Sequence, residues 1–340
     1  MNNLGRFSLI LLFQSAIVIT PITLAINPVV SQRAIAEDAE THHHELVVDS
    51  LEAQTYYNRG LNYFIEGDYT KALQEFEQAI AVYPQFADAY NERGMTYAQL
   101  QDYEQALIAF DQAIAINPQF TFAYYNRGLV YAELQKYDQA LTEFNQAIAL
   151  NPQFADAYNN RGLIYAYRQE YDQALIEFNQ TIALNPQDIL AYNNRALTYS
   201  QLQQYEQALA DFDRAIAIDP QDPKIYHNRG LIYVQLEQQE QAISDFNQAI
   251  ALNPQDLFAY NNRGLTYAQL EEYQLALKDF SQAIKLDPQS PDFYYNRGLV
   301  YSQLGKISQA KEDWEKAASL SQQANNIELY ELIQNQLESL

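Results

Sequence analysis

The stretch from Thr121 to Phe154, TFAYYNRGLVYAELQKYDQALTEFNQAIALNPQF, decides the fold. The block that follows, Ala155 to Asp188, restates it as ADAYNNRGLIYAYRQEYDQALIEFNQTIALNPQD. A fixed internal period of this length marks a stacked-repeat architecture. Arg59, Arg93, Arg127, Arg161, Arg195, Arg229, Arg263 and Arg297 recur at one constant interval, and Pro84, Pro118, Pro152, Pro186, Pro220, Pro254 and Pro288 keep the same spacing. The units run 53–86, 87–120, 121–154, 155–188, 189–222, 223–256, 257–290 and 291–324, eight in all, without insertion or deletion.

Within a unit the apolar spacing is helical rather than alternating. Tyr124, Gly128, Tyr131 and Leu134 mark one amphipathic helix, and Tyr137, Ala140, Leu141, Phe144, Ala147 and Ile148 a second, with a turn near Gln135 to Tyr137. Asn151-Pro152 is expected to open the next unit's first helix, Asn as N-cap and Pro at the first helical position. Gly128 and Ala140 let the two helices approach closely, with Tyr124, Tyr131 and Phe144 as fillers. Glycine inside a helix costs roughly 1 kcal/mol against alanine, so its recurrence implies a packing return. Unit five carries Ala196 instead. One helical pair cannot cover both of its apolar faces, so neighbours must stack on it, and the chain is predicted to be all-α, a solenoid held by nearest-neighbour contacts.

The pattern resembles the tetratricopeptide repeat: aromatic, Gly, aromatic, then Ala, Phe, Ala and Pro along each unit. Tyr stands for the usual first Trp, from Tyr56 to Tyr294, and Arg for the usual Leu before Gly, which leaves an Asn-Arg-Gly signature like that of long bacterial arrays. The resemblance covers Ala53 to Ala324 and implies a right-handed superhelical solenoid of eight helix-turn-helix repeats. Asn325 to Leu340 carries Ile327, Tyr330, Ile333 and Leu337 on one stripe and reads as a capping helix.

The remaining segments differ in kind. In residues 1–36, Arg6 precedes the apolar run FSLILLFQSAIVI, and Ala34-Ile35-Ala36 matches a small-x-small cleavage site. This reads as a signal peptide cleaved near Ala36, which makes the chain exported: periplasmic, lumenal or secreted. An uncleaved membrane anchor is the alternative, because the run is nearly long enough to span a bilayer. Residues 37–52 read as an acidic linker, and its His42, His43 and His44 as solvated residues with no ligand set around them, so no metal or other cofactor is expected. The chain has no Cys, hence no disulfide or thiolate chemistry. The formal net charge is -23 with no basic stripe, which argues against nucleic acid.

By resemblance, the first helix of each unit lines a concave groove that holds peptides or protein segments. The groove residues are then Asn58, Asn126, Asn160, Asn194, Asn228, Asn262 and Asn296, each just before the recurring Arg, with Glu92 as the exception, and one residue earlier Tyr125, Asn159, Asn193 and Asn261. An amide donates and accepts, which suits an extended backbone. The recurring Arg is expected to form a structural ladder with the second-helix carboxylates Glu75, Glu143, Glu177, Asp211, Asp245, Asp279 and Asp313, Ala109 being the exception. The basic residues of a carboxylate clamp are missing, Lys224 aside. No nucleophile elbow, phosphate loop or metal spacing is present, and the only departures from repetition are few, among them His227. The reading is therefore a non-catalytic scaffold for protein or peptide partners; an assembly factor for client subunits and a carbohydrate-binding module are the alternatives.

Overall fold

The computed structural model describes the backbone of residues 43–340 and the side chains from Ser50 onward. The expected signal peptide, His42 and residues 37–42 of the linker lie outside the described residues. From His43 the linker expectation is corrected, because the chain there is already helical. The described residues are built of α-helices and fall into two compact units, 43–186 and 187–340.

The N-terminal unit contains four helical hairpins. These are α1 (His43–Ile65) with α2 (Tyr69–Val82), α3 (Ala87–Gln99) with α4 (Tyr103–Ile116), α5 (Thr121–Glu133) with α6 (Tyr137–Leu150), and α7 (Ala155–Tyr167) with α8 (Tyr171–Leu184). The C-terminal unit repeats the plan with α9 (Ile189–Gln201) and α10 (Tyr205–Ile218), α11 (Pro223–Gln235) and α12 (Gln239–Leu252), α13 (Leu257–Gln269) and α14 (Tyr273–Leu286), and α15 (Pro291–Gln303) and α16 (Ile307–Gln323), then adds α17 (Ile327–Glu338). Odd-numbered helices up to α15 are the first helices of their hairpins. Within each unit every first helix packs on its own second helix and touches the first helices of adjoining hairpins, contacts the second helices do not match among themselves. The first helices therefore form the closer-packed layer.

The turns have identifiable chemistry. After α5, Gln135 takes a positive φ of 56°, its N–H bonds to Ala132 O, and Lys136 N–H reaches back to Tyr131 O. This is the Schellman closure, in which a left-handed residue satisfies the last carbonyls. Gly67 and Gly305 fill that site in hairpins one and eight; elsewhere in the array Gln or Glu does.

The Asn-Pro expectation is corrected. Asn151 closes α6, its Oδ1 accepts from Gln153 N at 3.0 Å, and α7 starts only at Ala155. The side chain is engaged by the turn it initiates, two residues on, and cannot also cap the next helix. Where a side-chain N-cap exists between hairpins it is Asp188, Asp222 or Asp256, each accepting a backbone N–H from the first turn that follows. Tyr124 and its equivalents Tyr158, Tyr226 and Tyr294 span that turn and donate to the preceding proline's carbonyl at 3.3–3.4 Å.

The core repeats with the sequence. Phe76, Phe110, Phe144 and Phe178 in the N-terminal unit, and Phe212, Phe246, Phe280 and Trp314 in the C-terminal one, are fully buried. Each lies against the small residue of its own first helix. A Cβ on Gly298 would sit 2.5 Å from Trp314 Nε1, whereas one on Gly264 would stand 3.0 Å from the nearest atom of Phe280. Trp314 is also held by its N–H bond to Tyr295 O at 3.2 Å. Gly298→Ala is therefore expected to lower stability by about 1–3 kcal/mol, the range for overpacking. Gly264→Ala should stay within about 1 kcal/mol, because the helix-propensity gain opposes a milder contact. Thermal unfolding of the two variants tests the order; equal midpoints would mean the Trp314 contact is not limiting.

The capping stripe is corrected at Ile327 alone; Tyr330, Ile333 and Leu337 pack in the cluster that α17 forms with α16. Leu329 and Ile333 are the buried anchors of α17, set against Ala317, Ala318 and Trp314, while Ile327 faces solvent. Ile327 is the first residue of the helix and precedes the turn that descends onto α16.

Candidate functional site

On a first helix the second, fifth, ninth and thirteenth residues of a unit share one stripe, by the three- and four-residue spacing of helical neighbours. The stripes line up across the layer of first helices within each unit. The ninth residue, Met95, Leu129, Leu163, Leu197, Leu231 or Leu265, is buried and supplies an apolar floor. The expected amide ladder lies at the fifth and sixth residues.

These amides do not stand open. In the N-terminal unit, Asn126 Nδ2 donates to Asn91 Oδ1 at 3.0 Å, and Asn160 Nδ2 to Tyr125 Oη at 3.0 Å. In the C-terminal unit, Asn228 Nδ2 donates to Asn193 Oδ1 at 3.0 Å, Asn296 Nδ2 to Asn261 Oδ1 at 2.9 Å, and Asn262 Nδ2 lies 3.3 Å from His227 Nε2. Each rung joins the sixth residue of one first helix to the fifth residue of the helix before it. Asn126, Asn159, Asn193, Asn194, Asn261, Asn262 and Asn296 are buried, Tyr125, Asn160 and Asn228 half-buried, and Asn58 alone is exposed. The physical reason is that an amide between packed helices costs about 1–3 kcal/mol if left unpaired, and the nearest acceptor is on the neighbouring helix. The ladder is thus occupied with stitching hairpins together, and its remaining N–H and carbonyl capacity is what a ligand could still use.

The rung between α11 and α13 contains the lone histidine of the array. Its Nε2 faces Asn262, its Nδ1 stands 3.6 Å from Asp256 Oδ2, and its ring packs edge-on against Phe246. Burial pushes the Asp256 carboxyl up, but His227 and the backbone N–H groups of α13 pull it below its ordinary value.

The arginines face the other way, toward the second helices. Arg195, Arg229, Arg263 and Arg297 fork through Nε and Nη2 onto Asp211, Asp245, Asp279 and Asp313 at 2.6–2.8 Å. Arg127 and Arg161 meet the longer Glu143 and Glu177 through Nη2 alone, and their Nε atoms are buried without a partner. Arg59 pairs with Glu75, and Arg93, which faces Ala109, bonds Gln112 at 2.6 Å instead. A second contact was not foreseen: Nη1 of Arg127, Arg161, Arg229, Arg263 and Arg297 reaches back to the preceding hairpin, at Asp111, Asn145, Asp213, Asn247 and Ser281. The polar residue recurring at that place in each unit is the signal that could have shown it. A tyrosine three residues before each Arg, Tyr56 to Tyr294, lies 4.7–5.8 Å from the guanidinium.

Of the second residues on the stripe, Asp156, Leu190, Lys224 and Phe258 are exposed, while Gln54, Asp88, Phe122 and Asp292 are half-buried. In the C-terminal unit this row reads Leu190, Lys224, Phe258, Asp292, with Leu190 59% and Phe258 60% exposed. In the N-terminal unit it reads Gln54, Asp88, Phe122, Asp156. Only Lys224 was singled out from sequence. The row could have been found by asking where the units differ, since its residues change from unit to unit while the ninth residue stays Leu or Met. Among the described residues, no group of His, Asp or Glu could hold a metal ion, and no helix is long and apolar enough to cross a membrane.

Models of the tetratricopeptide repeat match residues 57–119, 109–142, 130–167, 162–227, 201–261, 266–305 and 291–324. No curated protein matches the sequence. Among solved structures, the chain is similar to a tetratricopeptide repeat protein from Parabacteroides merdae ATCC 43184, at 20% identity over 74% of this chain and 99% of that one, with a TM-score of 0.56. It is similar to PilW, a widely conserved type IV pilus biogenesis factor, at 22% identity over 60% and 94%, with a TM-score of 0.56. A third likeness is to the APC/C Cut9–Hcn1 hetero-tetramer, at 18% identity over 85% of this chain and 57% of that one, with a TM-score of 0.56. At these identities the likeness is one of fold.

Proposed function

We propose, since this chain belongs to the tetratricopeptide repeat family, that it is a non-catalytic scaffold whose first-helix face holds an extended segment of a partner protein. The observation that carries the reading is the exposed pair Leu190 and Phe258. Each is the second residue of a first helix in the same unit, with Lys224 at the equivalent place on the helix between them. Large apolar side chains more than half exposed contribute nothing to the fold, and on a binding face they act as anchors. An extended segment lying across α9, α11 and α13 meets apolar, basic and apolar contacts in turn, above the leucine floor. The amide ladder beneath keeps the helices in register, so the face is presented ready-made and little ordering is lost on binding.

The test uses segments selected from a random peptide library on the full chain. Leu190→Ser combined with Phe258→Ser is expected to weaken the selected segments at least about tenfold, the loss of two anchors, with an unchanged helical circular dichroism spectrum. Asn228→Ala should instead act on stability, by about 1 kcal/mol for one lost rung, and far less on binding. Selected segments that bind the double variant as tightly as the unaltered chain would show that this face is not the site.

A further inference from the structure

One rung of the N-terminal unit is chemically inverted. At the other rungs described above, an amide N–H of the later first helix meets an acceptor on the earlier one, whether Asn Oδ1, Tyr Oη or His Nε2. Between α1 and α3 the later residue is Glu92, a carboxyl that, unlike an amide, turns negative and purely accepting once it ionises. The earlier residue is Tyr57, placed as Tyr125 is two hairpins on, where its hydroxyl takes the amide of Asn160.

Both members of this rung are buried. Tyr57 and Glu92 are each 8% exposed. Tyr57 is fixed by its ring packing on Phe76 and Phe86, with centroids 5.9 and 5.0 Å apart. Its hydroxyl has no hydrogen-bond partner among the described residues. Glu92 receives Asn91 Nδ2 at 3.1 Å and nothing from Tyr57. A phenol and a carboxylate in contact would share the phenol's proton; these two stand apart. Asp88, one turn earlier on α3, adds a second negative group that acts on both.

No lysine lies on the described part of the first helices of this unit. Their arginines are turned to the second helices, Arg59 on Glu75, Arg93 on Gln112, Arg127 on Glu143 and Arg161 on Glu177. The rung therefore lacks a positive charge, and among the described residues no side chain supplies one. An ammonium or a guanidinium offers at least three N–H groups, enough for the carboxylate and the hydroxyl together, and such charge-assisted bonds are the strong ones.

We infer that the rung between α1 and α3 is a subsite for a lysine or arginine side chain of the bound segment, received by Glu92 with Tyr57 and Asp88 beside it. This rests on the first-helix binding face proposed above and concerns a segment held on the first helices of the N-terminal unit alone. The chain's formal net charge of -23 favours approach of such a segment at long range.

The experiment compares three full-length chains on an array of random-sequence peptides: the unaltered chain, Glu92→Asn, which restores the donor present at the other rungs, and Glu92→Gln, which keeps the side chain's length. Circular dichroism confirms that all three are folded. Peptides retained by the unaltered chain are expected to share a Lys or Arg at one position. Replacing that residue by acetyl-lysine or citrulline should weaken binding at least about tenfold, as for loss of one partner of a buried charge pair. Both variants should keep binding peptides while losing the basic preference. Retention without that preference, or a preference that survives in both variants, overturns the subsite and leaves the binding face standing. Retention of no peptide by any chain removes the face and the subsite with it.

Discussion

Protection of α1 against hydrogen exchange is expected to fall about a hundredfold between pH 5 and pH 8, after correction for intrinsic exchange, and Glu92→Gln is expected to remove that fall. Burial pushes the Glu92 carboxyl from its ordinary 4.5 to about 7, and the nearby Asp88 charge adds to the push, while Asn91's amide opposes it. The folded chain thus keeps a proton that the unfolded chain has released. Between about pH 4.5 and 7 folding binds a proton, so stability drops as pH rises, and above about 7 the loss is complete. A shift of this size corresponds to roughly 3 kcal/mol. The effect is local because a repeat array opens hairpin by hairpin, and α1 with α2 is the first hairpin of its unit. A carboxylate held below its ordinary value acts in the opposite sense. Asp256, held below its ordinary value by His227 and backbone N–H groups, contributes stability that is lost as pH falls. The difference between the unaltered chain and Glu92→Gln isolates the one group. The same pH trend in α1 for both chains would mean that Glu92 is ionised without penalty.

The second large effect is expected at Arg229. Its guanidinium holds Asp245 at 2.7 Å on the same hairpin and Asp213 at 2.5 Å on the preceding one. The Asp245 side chain is only 6% exposed. Burial pushes its carboxyl up and the guanidinium fork pulls it back, while the fork holds Arg229 charged above its ordinary range. Arg229→Met leaves that carboxylate buried and unpaired, which costs about 3 kcal/mol, the lower end of the range for broken buried pairs because Arg229 itself keeps some solvent. Arg229→Met with Asp245→Leu should recover most of the loss, since an apolar pair of similar volume avoids both desolvation terms. Arg59→Met is the control. Arg59 is 50% exposed, and a solvated pair is worth under about 1 kcal/mol. Denaturant unfolding of the four chains checks the order. A double variant no more stable than Arg229→Met alone would show that the arginine acts by packing rather than by neutralising Asp245.

How much of this was legible follows from where each signal lies. The pairing of Arg with a carboxylate on the second helix of its own hairpin could be read from a single copy, because both partners recur together and Ala109 stands out where the partner is missing. The apposition of Gly and Phe could be read in the same way. The direction of the amides could not. The fifth and sixth residues of a unit are neighbours in every copy, so periodicity is the same whether Asn160 bonds its own helix, the helix before it or a ligand. The row of second residues, Lys224 apart, was overlooked for the opposite reason: Leu190, Lys224 and Phe258 do not repeat, and a search for repetition discards them.

The amino-acid sequence by itself determined the all-α class, the two-helix unit, its length and its stacking, because any residue that recurs once per unit must occupy the same environment each time. Tertiary structure alone decided which helix each amide serves, that Asn151 closes a helix rather than opening one, and that Glu92 faces Tyr57 where its sibling rungs have a donor. Those outcomes depend on contacts between copies and on the rotamers that settle them. A single unit contains neither.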